Sequence, residues 1–493
     1  MPSLLSSRFL SPLFDVAAIR SREQASFAHE GASFPMMLRA GQALYNHILR
    51  RQRGVTHLAI VVGGGNNGGD GWVVAALAAQ DGLQVIVYDA ASSPRKGDAL
   101  RAEKIAYELE NVQVRSIDEL DDDHAPVIVD ALLGIGFRAP LSAQFERAIQ
   151  VMNGLADAGA WLVSVDCPSG LDLFTGKAEL AVQADLVVTF IGDKIGHYLQ
   201  DGPSFYREIV TEKLQAVDLS EQPQAYFLAA TVLDVMPPCG RKPNSHKGTY
   251  GHVTVIAGDH GYGGAAIMAS EAAAKSGAGT VCLYTQERHL NASLVRNPNV
   301  MAVASHEMNI SSTLRGQESV LVIGPGLGRS EWSESIWQQF KVLDDYPTIV
   351  DADGLYWLTE QPVVRQKMVV TPHPGEAARL LSKKVPEILQ DLPLAARTIA
   401  DRYQSVVILK GATSVVAAPD GRTMIVGGAC PGLAKGGSGD VLSGMVGSCL
   451  AYYDDVFEAA VIAAAWHNKA AQKCQQNIGM VTMQPYQLLD YLE

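Results

Sequence analysis

The sequence has few cysteines and no excess of basic charge. Its 493 residues contain 6 cysteines, with no Cys-x-x-Cys pair and no spacing typical of metal ligands. This excludes a disulfide-stapled secreted scaffold and predicts free thiols in a reducing cytoplasm. The formal net charge of −13 argues against nucleic acid or an anionic membrane as a partner.

Long apolar runs are also missing. No stretch reaches the roughly 18 uninterrupted apolar residues that a membrane helix needs, so no membrane span is expected. The first 14 residues, MPSLLSSRFLSPLF, are broken by Ser, Arg and Pro and lack the continuous apolar core of a secretory signal. A weak organelle transit segment stays open.

Glycine, by contrast, is abundant. The 46 glycines cluster after apolar runs, as they do in ligand-binding loops. The chain is too long for one hydrophobic core, so more than one domain is expected. We place the domain boundary near Gln224, just before a cluster of Pro, Gly, Asn and Lys at residues 236–247.

The first half opens with a buried-strand pattern at residues 58–62, followed by the segment GGGNNGGDG at 63–71 and an apolar helix at 72–79. Strand, glycine-rich turn and helix begin a doubly wound nucleotide-binding sheet. Two asparagines replace the usual GxGxxG spacing, and their side chains both donate and accept hydrogen bonds. The segment predicts a ligand loop, although a simple turn stays open.

Two further strands of this half end in Asp. Asp130 closes the strand at 127–130, and Asp166 follows the strand at 161–165 and precedes Ser169. Carboxyl ends of parallel strands meet at the ligand edge of the sheet. These side chains therefore form a candidate site, although any one strand-end Asp could cap a helix instead.

The most informative stretch of the second half is Gly427–Gly447, GGACPGLAKGGSGDVLSGMVG. A loop of small residues at a helix start exposes backbone N–H groups, which together with the helix dipole make an anion site. Asp440 inside that site would repel an anion, so it is better interpreted as an acid or base beside one. An ordinary turn capped by Asp is the alternative.

Four apolar strands precede that stretch, and each delivers a polar or glycine-rich loop. They are predicted at residues 319–323, 348–350, 367–370 and 406–409. The loops carry Gly326, Asp351, His373 and Lys410. A lone His373 is more often structural, but the ordered set favours one ligand site at the edge of a second sheet.

These motifs resemble two known families. Gly427–Gly447 resembles the anion-hole segment of the ribokinase-like superfamily, in the branch of nicotinamide-nucleotide hydrate dehydratases. NNGGDG and the Asp166-Cys-Pro-Ser-Gly segment resemble the hydrate epimerase family. The resemblance implies an α/β protein with two doubly wound domains, a Rossmann-like epimerase domain at 1–224 and a ribokinase-like dehydratase domain at 225–493.

For the first domain, the resemblance implies that Asp166 is the acid–base residue. It implies a K⁺ site at Asn67, Asp130 and Ser169. It also implies contacts with a hydrated nicotinamide nucleotide from Asn66, Asn67, Gly68, Gly69, Asp70, Gly134, Ile135, Gly136, Phe137, Arg138, Ala139, Pro140 and Asp166. Lys194 lies near the ligand or is solvated, and the sequence leaves both readings open.

For the second domain, the resemblance implies Asp440 as the base and the N–H groups of residues 437–439 as the phosphoryl site. ADP is the expected co-substrate, with Mg²⁺. Contacts with the hydrate are implied for Ala266, Gly326, His373 and Asp440. Contacts with the nucleotide are implied for Lys410, Gly411, Ala412, Thr413, Ser414 and Gly439.

The expected partners are the hydrates NADHX and NADPHX, ADP and further copies of the chain as a homo-oligomer. A ribokinase-like vitamin-precursor kinase with a nucleotide-binding interaction domain is the main alternative, and a dehydrogenase is disfavoured without GxGxxG. The sequence leaves the oligomer size, ADP against ATP, NADHX against NADPHX, the Mg²⁺ ligands and transfer between sites undetermined.

Overall fold

The computed structural model describes residues 9–219, 222–234, 238, 240–316 and 319–492. Most of the N-terminal stretch considered as a targeting segment, part of the cluster at 236–247 and Cys239 lie outside these residues. The chain divides into two compact units, Pro12–Gln224 and Ala225–Glu493, the second including residues 9–11. None of the helices in the described ranges is long and apolar enough to cross a membrane.

The first unit is built on a parallel sheet with strand order β4-β3-β2-β5-β6-β7-β9. The order reverses between β2 and β5, which is the crevice where doubly wound sheets bind ligands. A short parallel pair, β1 with β8, lies apart from this sheet. The strands are β1 Ser11–Phe14, β2 His57–Val62, β3 Gln84–Asp89, β4 Val112–Ser116, β5 Val127–Ala131, β6 Trp161–Val165, β7 Ala184–Phe190, β8 Asp193–Lys194 and β9 Tyr206–Glu212.

Helices of this unit are α1 Val16–Glu30, α2 Phe34–Arg51, α3 Asn66–Gln80, α4 Gly97–Tyr107 and α5 Ala143–Asp157. The pattern over residues 16–50 predicts two helical pieces with Pro35 in the break between them; the two helices are confirmed, but the break lies at residues 31–33. Asp15 caps α1, and Pro35 lies in the first turn of α2, where its missing N–H has no helical partner to lose.

Helix α3 begins earlier than the sequence predicts. We expected a turn over residues 63–71, but the turn ends at Gly65 and the helix starts at Asn66. Its glycines serve close packing: a Cβ on Gly68 would lie 2.1 Å from the Gly63 carbonyl oxygen, and one on Gly71 would lie 2.6 Å from the Ala131 Cβ. Tight packing on the strands therefore outweighs the low helix propensity of glycine.

The second unit also has a mainly parallel sheet. Its order is β13-β12-β11-β14-β15-β16-β17-β18-β19-β10, parallel as far as β17, antiparallel over β17-β18-β19, and parallel again at β10. The strands are β10 Ala225–Leu228, β11 His252–Ile256, β12 Thr280–Thr285, β13 Val300–Ala304, β14 Ser319–Ile323, β15 Thr348–Val350, β16 Met368–Val370, β17 Val406–Leu409, β18 Ser414–Ala417 and β19 Thr423–Val426.

Helices of the second unit cover the sheet. They are α6 Gly263–Lys275, α7 Leu290–Arg296, α8 Glu331–Lys341, α9 Asp353–Glu360, α10 Pro374–Leu381, α11 Val385–Gln390, α12 Leu392–Tyr403, α13 Ser438–Tyr452 and α14 Val456–Ile478. Helices α6 and α13 touch backbone to backbone, because a Cβ on Gly444 would lie 2.0 Å from the Ala269 carbonyl oxygen. Only glycine permits that approach.

The predicted α/β class with two doubly wound units is confirmed. The strands predicted at 319–323, 348–350 and 406–409 have the predicted bounds. These strands are buried along their whole length, which explains why continuous apolar runs predict them. The antiparallel β18 and β19 were not predicted.

Candidate active sites

The first candidate site is a cavity of about 380 Å³ at the ligand edge of the N-terminal sheet. One wall of the cavity is formed by the turn after β2, the start of α3 and the loops after β5 and β6. Helix α1 contributes a different wall. Its lining comprises Ile19, Glu23, Gly64, Gly65, Asn66, Asn67, Asp70, Leu132, Leu133, Gly134, Ile135, Gly136, Phe137, Phe145, Asp166, Phe190, Ile191 and Lys194.

Asp166 lies directly after β6 and has a left-handed backbone with φ of 62°. Its N–H donates to the Val188 carbonyl at 2.9 Å. Its Oδ1 accepts from the Phe190 N–H at 3.0 Å and from the Thr189 hydroxyl at 3.1 Å. The strained turn therefore folds the carboxylate back over the ends of β6 and β7.

Lys194 is the main electrostatic partner of Asp166. Its side chain is 1% exposed, and its Nζ donates to Asp166 Oδ1, to the Thr189 hydroxyl at 2.8 Å and to the Phe190 carbonyl at 2.7 Å. The solvated reading of Lys194 is therefore wrong. Burial alone would raise the pKa of Asp166, but the ammonium of Lys194 outweighs it and holds that pKa below its usual value.

Two other carboxyl groups of the cavity are shifted in the opposite direction. Burial, and then the negative charge of Asp166, raise the pKa of Glu23. Burial raises the pKa of Asp70 well above its usual value, and the charges of Asp166 and Glu23 add to the effect. The cavity thus combines an ionised carboxylate with groups that retain a proton more readily.

The residues expected to bind K⁺ lie around the backbone of Leu133. Asn67 Nδ2 donates to the Leu133 carbonyl at 2.9 Å, and Ser169 Oγ lies 2.8 Å from the Leu133 nitrogen. The fully buried Asp130 accepts from Ser169 Oγ at 2.5 Å and from Ser164 Oγ at 2.8 Å. Burial raises the pKa of Asp130, opposed by the bonds from Ser169. The three expected residues are therefore brought together, and all offer oxygen atoms.

The other expected substrate contacts divide into two groups. Asn66, Asn67, Asp70 and the loop 134–137 line the cavity, whereas Gly68 and Gly69 face packed neighbours. Arg138 stacks on the Phe174 ring at 3.1 Å and lies 3.3 Å from Asp172. Arg138, Ala139 and Pro140 are not among the residues that line the cavity.

The second candidate site lies at the N-terminus of α13. Gly437, with φ of 103°, precedes the helix, and Asp440 lies in its first turn. The Ser438 hydroxyl is buried and has no hydrogen-bond partner in the described structure. Burial and the neighbouring Asp351 carboxylate raise the pKa of Asp440 to about 7. Asp440 can therefore change its protonation state near neutral pH.

Lys410 lies beside this helix start. Its Nζ is 2.9 Å from Asp351 Oδ1 and 3.8 Å from Glu376 Oε2, and it would lie 3.2 Å from a Cβ on Gly439. Ser443 Oγ also donates to Asp351. Burial would lower the pKa of Lys410, but the charges of Asp351 and Glu376 outweigh it and raise that pKa.

His373 caps α10. Its Nδ1 accepts from the Gly375 N–H at 3.0 Å, while Glu376 accepts from the His373 N–H at 2.8 Å. This is the reciprocal arrangement of a capping box, with His373 as the cap. Burial, and then the charge of Lys410, lower the pKa of His373. The ring therefore stays neutral, and its Nδ1 can accept the hydrogen bond from Gly375.

The remaining expected contacts of the second unit are spread over the loops at the sheet edge. Ala266 is fully buried in α6. Gly326 has φ of 55° and packs on Tyr262. The turn from Lys410 to Ser414 joins β17 to β18, with Gly411 and Ala412 exposed and Thr413 buried.

Comparisons with known proteins match both units. A family model described as "YjeF-related protein N-terminus" matches residues 33–196, and one described as "NAD(P)H-hydrate dehydratase" matches residues 253–493. The protein named bifunctional NAD(P)H-hydrate repair enzyme Nnr of Coxiella burnetii is 35% identical over 478 residues, 95% of this chain and 96% of the relative. The chain belongs to the family of bifunctional NAD(P)H-hydrate repair enzymes.

Other members of this repair family agree. The protein of the same name from Escherichia coli is 35% identical over 457 residues, 90% of this chain and 86% of the relative. A solved structure of a ribokinase-like superfamily protein from Enterococcus faecalis V583 superimposes with a TM-score of 0.50 at 25% identity, covering 56% of this chain and 96% of that chain. The predicted resemblance and the ribokinase-like fold are confirmed.

Sequence reasoning gave no role to two side chains of these repair-family sites, Asp351 and Glu23, and left the position of Lys194 open. Asp351 carries the same signal as Asp130, a carboxylate at a strand end. Lys194 closes the short buried strand β8, just after the apolar run of β7, which favours burial. Glu23 lies in a helix with ordinary polar spacing, so nothing in the sequence distinguishes it from a solvated carboxylate.

Proposed function

We propose that this chain repairs hydrated nicotinamide nucleotides. Residues 1–224 interconvert the R and S forms of NADHX and NADPHX, and residues 225–493 dehydrate the S form with ADP as co-substrate. The observation that carries the proposal is the presence of a catalytically placed Asp at the ligand edge of each sheet, in a chain that matches a bifunctional repair enzyme along 95% of its length.

In the first unit, Asp166 acts as the proton acceptor for epimerisation. The reacting carbon of the hydrate carries a hydroxyl beside the ring nitrogen, so inversion requires proton transfer and no hydride transfer. Asp166 is held ionised by Lys194, and it faces a cavity that also contains Asn66, Asn67 and Asp70. A positioned carboxylate of this kind suits acid–base catalysis.

Asn67, Asp130 and Ser169 fit a K⁺ site in this unit. All three supply oxygen atoms around the Leu133 backbone, and oxygen ligands suit hard cations. A bound cation would compensate the fully buried charge of Asp130 and hold the loop 133–137 in place. The contacts of the hydrate with residues 66–70, 134–140 and Asp166 are part of the same proposal.

In the second unit, Asp440 takes the proton from the hydroxyl of the hydrate. Its pKa of about 7 suits a base at neutral pH. Residues 437–439 form the start of α13, where backbone N–H groups can donate to a phosphoryl group. The Ser438 hydroxyl, which has no hydrogen-bond partner among the described residues, offers a further donor. The deprotonated oxygen takes the terminal phosphoryl group of ADP, which leaves AMP. Phosphate then departs from the ring carbon as the adjacent carbon loses a proton, so dehydration is coupled to cleavage of the nucleotide.

Lys410 to Ser414 and Gly439 hold ADP in this proposal, and Ala266, Gly326, His373 and Asp440 face the hydrate. Among the described residues, no group of three or more His, Cys, Asp and Glu could hold a metal ion. Mg²⁺ usually keeps several waters and binds nucleotide phosphates, so it would arrive with the nucleotide and supply charge to its phosphates.

The partners and location follow the same proposal. None of the five described cysteines forms a disulfide, and all five are buried, which agrees with a reducing cytoplasm. Assembly as a homo-oligomer and the absence of nucleic-acid or membrane partners stay predictions.

The decisive experiment follows near-ultraviolet absorbance of reduced nicotinamide. The purified protein is mixed with R and S hydrates, Mg²⁺, K⁺ and either ADP or ATP. Full recovery with ADP supports both activities and the nucleotide assignment. Recovery of the S fraction alone removes the epimerase proposal. No recovery, with a stable phosphorylated product from a vitamin-precursor alcohol, replaces the proposal with the kinase alternative.

A further inference from the structure

The N-terminal cavity contains more carboxyl groups than its ammonium can neutralise. Glu23, Asp70 and Asp166 line it together with Lys194. Lys194 donates to Asp166, and within the described ranges neither Glu23 nor Asp70 forms an ion pair. Carboxylates that share a poorly solvated site raise one another's pKa, so Glu23 and Asp70 hold a proton more readily than isolated carboxyl groups do.

Epimerisation needs such a proton. At the reacting carbon, one bond must break and form again on the opposite face. If the bond to the ring nitrogen breaks, its electron pair moves to that nitrogen, which then needs a proton. Asp166 takes a proton from the hydroxyl and is ionised, so it cannot also supply one at this stage.

Resting on the proposed epimerase function, we propose that Glu23 is the general acid that works opposite Asp166. Asp166 accepts the hydroxyl proton, the C–O bond becomes C=O, and the C–N bond breaks while Glu23 protonates the nitrogen. Rotation about the adjacent C–C bond exposes the other face of the aldehyde. The nitrogen attacks that face, Glu23 recovers its proton, and Asp166 returns the other proton to the oxygen.

The position of Glu23 supports this role over Asp70. Asp70 lies in the second turn of α3, and Asp166 directly follows β6. Glu23 comes from α1, which precedes the first strand of that sheet and supplies a different wall together with Ile19. The hydroxyl oxygen and the ring nitrogen are bonded to the same carbon, so a base and an acid can reach both at once only from different directions, as groups on different walls do.

A second cavity, with a volume of about 190 Å³, adjoins the same residues. Glu23 lines it together with the apolar Phe27, Met36 and Met37, and Asp70 and Asp98 line it as well. The apolar side chains favour the neutral form of the Glu23 carboxyl over the carboxylate. The choice of Glu23 over Asp70 therefore rests on the elements that carry them and not on this cavity.

The test compares Glu23→Gln and Glu23→Asp with Glu146→Gln, an exposed Glu on α5. Conversion of R-NADHX to S-NADHX, above the rate in buffer, should fall at least about 100-fold in Glu23→Gln with KM little changed. Glu23→Asp should recover part of the rate. Dehydration of S-NADHX by the same protein should be unchanged in all three variants, which shows that the second unit is folded, and an unchanged urea unfolding curve of the first unit shows the same for the unit that carries Glu23.

The pH profile separates a proton donor from a structural role. Arg20, Asp70, Asp166 and Lys194 all act on the charge of Glu23. Because the donor must be protonated, epimerisation should fall as pH rises through the pKa of Glu23, and this alkaline fall should disappear in Glu23→Gln.

Three results would overturn the inference. An unmodified protein that does not epimerise overturns the proposed function and this inference with it. Epimerisation by Glu23→Gln within about threefold of the unmodified protein overturns the inference alone. So does loss of the alkaline fall in Asp70→Asn with its retention in Glu23→Gln.

Discussion

Both units contain a Lys close to the Asp that we propose as the proton acceptor, buried in the first unit and half-buried in the second, but they connect the two side chains differently. In the first unit, Lys194 donates directly to Asp166, and the pKa of Asp166 is lowered. In the second unit, Lys410 is committed to Asp351 at 2.9 Å, and the pKa of Asp440 is raised to about 7. The difference shows that the partner of the lysine, more than its presence, sets the state of the reacting carboxylate.

The two states suit two tasks. A carboxylate that stays ionised over a wide pH range suits a reaction that runs in both directions with a separate acid. A carboxylate with a pKa near neutrality can take a proton and release it again within one turnover, as a dehydration requires. In the function that we propose, the same two residue types therefore serve two chemistries through their different hydrogen bonds and charges.

The largest expected effect comes from removing each Asp in turn. Asp166→Asn should abolish conversion of the R hydrate, and Asp440→Asn should abolish dehydration of the S hydrate, each by about 10²–10⁴-fold. Each variant should keep the other activity, measured by nicotinamide absorbance with separated R and S hydrates. Loss of both activities in either variant would show that the units do not work independently.

Lys194→Met should be the next largest effect. Removing one partner of a buried ion pair costs about 3–5 kcal/mol, measured as the free energy of unfolding in urea at pH 7. The exposed Lys104→Met is the control and should change little.

The pH dependence of that loss has a definite sign. In the unmodified protein the pKa of Asp166 is lowered, so its contribution to stability is present above the unfolded-state value near 4 and is lost as pH falls through the folded-state pKa. Without Lys194, burial raises the pKa of Asp166. The stability gap between Lys194→Met and the unmodified protein should therefore widen from about pH 4 to pH 7, and a constant gap would refute the direct pairing.

Asp351→Asn should convert part of the second arrangement into the first. It removes the carboxylate that raises the pKa of Asp440 and leaves Lys410 free to turn towards Asp440. The acidic fall in dehydration rate, expected near pH 7 in the unmodified protein, should move to lower pH by about one unit. The exposed Asp454→Asn should leave it in place. A move to higher pH would contradict the comparison.

The smallest effect is expected at His373. Glu376, the second carboxylate near Lys410, is held by the reciprocal cap with His373. His373→Ala should lower the free energy of unfolding by about 1 kcal/mol, whereas His373→Asn should retain most of the cap. Equal losses in the two variants would mean that the ring acts by packing and not as a cap.

The sequence was sufficient where structure depends on local pattern. Strands such as β14 and β17 are buried on both faces, so an unbroken apolar run marks them. Glycine-rich loops after those runs mark the ligand edge, and they led to Asp166 and Asp440. These features require no knowledge of what packs against them.

Other features depend on tertiary contacts and could not be predicted in the same way. The start of α3 was placed too late because glycine disfavours helix locally, and the close approach of Gly71 to Ala131 decides otherwise. Lys194 can be buried because its ammonium finds three acceptors in the folded chain, on Asp166, Thr189 and Phe190. Glu23 is distinguished only by the cavity that it faces.

The backbone contact between Gly444 and Ala269 has a mechanical consequence. It joins α6 and α13 at a point where Gly444 places no side chain between the two helices. Helix α6 starts close before Ala266, and α13 starts close before Asp440, so the span between the proposed hydrate and phosphoryl positions is set by main-chain geometry. The distance between the two ends of the second site is then fixed, so we expect the site to select hydrate and phosphoryl groups that fit that distance.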